Sequence, residues 1–151
     1  MNTQFVCDKL QEFINKYVEG LTIICNGNDW YYDWRTDEIN INLYYNEEAD
    51  RLFSNVCKEL GLNWNCPMPL MSYLHEVGHY QTIEDCDTLL WNLTDIYTRL
   101  KGIMSDEITE KDHYVYFFAP RERVATEWAC DFANTHKTEL IELWHALTSE
   151  H

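Results

Sequence analysis

Five consecutive residues, His75-Glu76-Val77-Gly78-His79, carry two imidazoles four positions apart with a carboxylate between them. On a helix of about 3.6 residues per turn, those imidazoles lie about 40° apart around the axis and about 6 Å apart along it, close enough to share one metal ion. Imidazole nitrogens suit Zn²⁺, and a neighbouring carboxylate that is not a ligand can take a proton from a zinc-bound water. The spacing therefore predicts zinc held by His75 and His79, with Glu76 as the catalytic base that activates a zinc-bound water for hydrolysis.

A catalytic zinc usually takes three protein ligands and keeps one position for water, so a third ligand must come from another element. The position six residues after His79 is Asp85 rather than histidine. Further on, Glu127-Trp128-Ala129-Cys130-Asp131 offers a glutamate, with an aspartate one helical turn later. On a helical wheel, Arg123, Glu127, Asp131 and Asn134 share a polar face opposite Ala125, Ala129, Phe132 and Ala133. A ligand-bearing face and a solvated face with an Arg123/Glu127 ion pair look the same at this level. His113, Tyr114 and Tyr116 are candidates to stabilise a transition-state oxyanion, or else packing residues of an aromatic strand.

A His-Glu-x-x-His helix followed by Glu-x-x-x-Asp on a second helix resembles the gluzincin class of zinc peptidases. In size the chain is similar to the minimal, IrrE/ImmA-type metallopeptidases, and Phe132-Ala133 resembles the Phe-Ala that follows Glu-x-x-x-Asn/Asp there. The likeness covers roughly residues 69 to 83 and 119 to 134. It implies Glu127 as third ligand and Asp131 as the hydrogen-bond partner of the outer nitrogen of a ligating histidine. It also implies a zincin-like α+β fold, in which a small antiparallel sheet packs with the active-site helix and several further helices.

The elements that must position these groups are legible as periodicities. Phe5, Val6, Leu10, Phe13, Ile14 and Tyr17 form a helical stripe over residues 3 to 19, ending at Gly20. Leu21 to Cys25 and Trp30 to Trp34, on either side of Asn26-Gly27-Asn28-Asp29, read as a hairpin. Alternation from Ile39 to Tyr45 adds a third strand, which could line the cleft and pair with an extended substrate. A second helix runs through Leu52, Phe53, Val56, Cys57 and Leu60 to Gly61. Pro67 and Pro69 open the motif helix, whose stripe of Leu70, Tyr73, Leu74 and Val77 lies opposite His75, Glu76 and His79. Small Gly78 on that helix suits close packing or access. Thr82 with Asp85 is a capping-box signal for a helix to Leu100, and Tyr114 to Phe118 is strand-like. Pro120 opens a helix to about His136, and Leu140, Ile141, Trp144 and Leu147 mark another.

Composition limits the alternatives. The 151 residues suit a single domain over 1–151, and 46% hydrophobic residues exclude a disordered chain. Twenty-six acidic residues against 11 basic give a formal net charge of −15, which disfavours nucleic acid and anionic membranes as partners and favours a basic protein or peptide substrate. No run approaches a membrane span, the N-terminus lacks a secretion signal, and the six scattered cysteines read as free thiols, which together point to the cytoplasm. The competing reading is an acidic interaction protein of phage or mobile-element type, mimicking nucleic acid or occupying a partner on a zinc-peptidase scaffold.

Overall fold

The computed structural model describes residues 3–25, 30–42, 47–64, 66–83, 93, 96 and 119–149. Helix α1 (Thr3–Ile14) buries Val6, Leu10, Phe13 and Ile14 along one face, as its apolar spacing requires. It is shorter than the stripe suggested. Beyond it the N–H groups of Tyr17 and Val18 both bond the carbonyl of Ile14, and the chain tightens into a turn. Gly20, at φ 83°, then redirects it, a conformation open to glycine because it has no Cβ.

Three short strands follow: β1 (Thr22–Ile24), β2 (Tyr31–Asp33) and β3 (Glu38–Asn40), in the order β1-β3-β2. β1 runs parallel to β3, with Ile23 beside Ile39, and β2 runs antiparallel to it, with Tyr32 beside Ile39. The hairpin is therefore β2–β3, not the expected β1–β2 pairing, and the sheet is mixed rather than antiparallel. Burial gives the reason: fully buried Ile39 and Ile41 bring the third segment to the middle, where both neighbours cover it. The turn over residues 34–37 closes on Asp37 at φ 53°, a region that aspartate tolerates better than most side chains. The Asp37 carboxylate accepts the Tyr32 hydroxyl at 2.7 Å. Of the third strand expected over Ile39 to Tyr45, residues 43–46 lie outside the described residues.

Helix α2 (Glu47–Glu59) ends where Gly61 adopts φ 70°, with Leu62 N–H bonded to Cys57 O and Gly61 N–H to Lys58 O. This pair of bonds satisfies carbonyls that a helix end would otherwise leave open. Helix α3 (Met68–Thr82) carries the histidines and has Pro69 in its first turn. Thr82, expected to open the next helix, closes this one instead, its hydroxyl donating to Gly78 O at 2.7 Å. Of the expected continuation to Leu100, Leu93 and Ile96 are helical and the other residues after Ile83 lie outside the described residues, as does the Tyr114–Phe118 segment. Helices α4 (Pro120–Thr135) and α5 (Lys137–Thr148) meet at His136.

Among the described residues, five helices and a small three-stranded mixed sheet make an α+β fold, and no helix is long and apolar enough to cross a membrane. Cys7, Cys25, Cys57, Cys66 and Cys130 are free thiols. α3 forms the centre: Leu70, Met71, Tyr73, Leu74 and Val77 are all buried. A buried phenol needs a partner, and the Tyr73 hydroxyl donates to Leu10 O at 3.0 Å, tying α3 to α1. Tyr73→Phe removes that tie while keeping the ring, and should lower stability in urea unfolding by about 1 kcal/mol. Metal content should not change.

Candidate metal centre

α3 and α4 approach closely because neither presents a bulky side chain where they cross. A Cβ built on Gly78 would lie 2.4 Å from Ala125 O, and Ala125, Ala129 and Ala133 along α4 are fully buried. The approach brings Glu122, in the first turn of α4, against the imidazoles of α3. Glu122 Oε2 lies 2.9 Å from His75 Nε2 and 3.1 Å from His79 Nε2. The three side chains are buried, with relative exposures of 6% for His75, 7% for His79 and 0% for Glu122. Their ligand atoms all lie within 4.8 Å of one another.

Burial alone would push the Glu122 carboxyl up, but the charges and hydrogen bonds of His79 and His75 outweigh it and hold the group well below the usual carboxylate range. Its position in a helix's first turn favours negative charge too. Arg121 Nε donates to its other oxygen, Oε1, at 2.7 Å, leaving Oε2 to the histidines. Thr126, one turn further along α4, places Oγ1 at 3.1 Å from His75 Nδ1, and the Phe53 ring stands edge-on to the His75 ring at 5.7 Å.

Glu76 occupies a separate position. Burial pushes its carboxyl up to about 7, opposed by His75, reinforced by Glu122 and opposed again by the main-chain N–H of Tyr32, which donates to it. The strand beside Glu76 is thus β2, which among the described residues is an outer strand of the sheet. β3, expected to offer the cleft a free edge, has neighbours on both sides.

Two imidazole nitrogens and one carboxylate oxygen converging in a buried site are a donor set suited to zinc. Ligands on a tetrahedral ion at 2.0–2.1 Å stand about 3.3 Å apart. The 2.9 and 3.1 Å separations need only a small expansion to reach that. His75, His79 and Glu122 could therefore hold a metal ion.

The sequence-derived residues fare differently. His75, Glu76 and His79 come together as the helical spacing required. Glu127, expected as third ligand, does not join them: about 140° around α4 from Glu122, it pairs with Arg123 Nε at 2.8 Å, its side chain 39% exposed. Asp131 is exposed, and Thr126 meets the outer nitrogen of His75 in its place. His113, Tyr114 and Tyr116 lie outside the described residues. The polar face of the wheel turned out to be the solvated one, because the site lies on the face packed against α3. The signal that could have found Glu122 is its place on the small-residue stripe, about 20° from Ala129 around the helix.

Compared with known proteins, the chain matches no protein-family model, no curated protein and no solved structure.

Two substitutions separate the candidate ligands. By mass spectrometry, purified wild-type protein and Glu127→Ala should each carry about one bound metal ion per chain, and Glu122→Ala far less. Gly78→Ala, which must push α4 away, should lower metal content too and cost about 1–3 kcal/mol through overpacking.

Proposed function

We propose that the chain is a zinc-dependent endopeptidase, with His75, His79 and Glu122 as metal ligands and Glu76 as its general base. The observation that carries this reading is the pairing of a converged two-histidine, one-carboxylate set with a second buried carboxylate, Glu76, outside that set. When bound, zinc would supply Lewis-acid polarisation of a peptide carbonyl and a more acidic water. Glu76, with its carboxyl raised to about 7, is suited to take a proton from the attacking water and return it to the leaving nitrogen near neutral pH. The Tyr32 N–H holds that carboxylate in place while it does so. Arg121 keeps Glu122 oriented by occupying Oε1.

The net charge of −15 supports a basic protein or peptide segment as substrate, since such a field raises encounter rates with cationic partners. Incubation with a defined peptide library, read by mass spectrometry, tests the reading. Zinc-loaded wild type should cleave, with a preference for basic peptides. Glu76→Gln should keep its zinc yet lose about 10²–10⁴-fold in rate. Equal cleavage by Glu76→Gln would refute the assignment of the base.

A further inference from the structure

We infer that Thr126 is a positioning residue that decides which ring nitrogen of His75 faces the metal. This rests on the metal-centre reading above. A threonine hydroxyl has one proton to donate and two lone pairs to accept with. Thr126 Oγ1 lies 2.7 Å from Glu122 O and 3.1 Å from His75 Nδ1. The carbonyl can only accept, so the shorter contact takes the hydroxyl proton. The oxygen then faces Nδ1 with a lone pair, and the proton of that second bond belongs to the imidazole. A neutral imidazole carries one N–H. With that proton on Nδ1, Nε2 has its lone pair for a metal ion, which would replace the proton that joins Nε2 to Glu122 Oε2 at 2.9 Å in the metal-free chain.

The first of these contacts is ordinary. Thr82, Thr135 and Thr148 also donate to the carbonyl four residues earlier, at 2.7, 2.8 and 2.8 Å. Among the described residues, Thr126 is the one of these four whose oxygen also meets a ring nitrogen. It is fully buried, so bulk water cannot replace the hydroxyl. Phe53 and His79 flank the ring, with centroids 5.7 and 4.6 Å away, and restrict its plane, but neither contact fixes the proton. Since the carbonyl belongs to Glu122, a single turn of α4 delivers one ligand and orients another. A neutral hydroxyl does this without adding a further negative charge beside Glu122 and Glu76.

The test uses Thr126→Val, close in shape but without the hydroxyl, and Thr126→Ser, which keeps it. Zinc affinity, measured by competition with a chromophoric chelator, should fall about 10–100-fold in the valine variant and largely return in the serine variant. In zinc-loaded wild type, long-range ¹H–¹⁵N spectra should show His75 protonated at Nδ1, and that proton should exchange with water faster in Thr126→Val. A valine variant as tight as wild type, or His75 bound through Nδ1, would overturn this inference while leaving the metal centre standing. A wild-type chain that takes up no zinc would overturn both. The wild-type spectrum decides the tautomer even if the valine variant misfolds.

Discussion

The candidate site depends on the distance between two helices. Glu122 reaches His75 and His79 because α4 lies on α3 where Gly78 has no side chain, its missing Cβ 2.4 Å from Ala125 O. Any side chain there would separate the helices, and the 2.9 and 3.1 Å contacts of the trio would open with them. The alanines of α4 serve the same end as the glycine. Cores are packed at the density of organic crystals, so a side chain too many is not absorbed by slack elsewhere.

Such closeness has an electrostatic consequence. Glu122 is wholly buried, and taking a carboxylate out of water costs several kcal/mol unless charges and hydrogen bonds offset it. Here both oxygens are engaged: Arg121 holds Oε1, and the two imidazoles converge on Oε2. Glu76 lies in the same field with less compensation, and its carboxyl rises while that of Glu122 falls. Two carboxylates in one site, pushed in opposite directions, are suited to different roles, and the proposed function gives the ligand role to Glu122 and the base role to Glu76.

The sequence made the helices legible but not how they pack. Apolar spacing located α1, α2, α3, α4 and α5, and the glycines at 20 and 61 marked turns that the structure confirms at positive φ. The sheet order was beyond reach, since three-residue strands carry little pattern and β3 enters between β1 and β2 through long-range burial. His75, Glu76 and His79 could be read because one helix fixes their spacing. Glu122 could not, because its role depends on which face of α4 meets α3. Flanked by Arg121 and Arg123, it looks like one member of a surface charge cluster, whereas Glu127 had a familiar spacing but faces outward. Thr126 was hidden for the same reason: its partner is 51 residues away in the chain.

The most direct test of the central claim is zinc K-edge X-ray absorption on zinc-loaded protein. The account predicts about four nitrogen and oxygen neighbours, two of them imidazoles and one a carboxylate, with the remaining position left to solvent. A shell containing sulfur would contradict it, as would a shell without the two imidazoles or one closed by a fourth protein ligand.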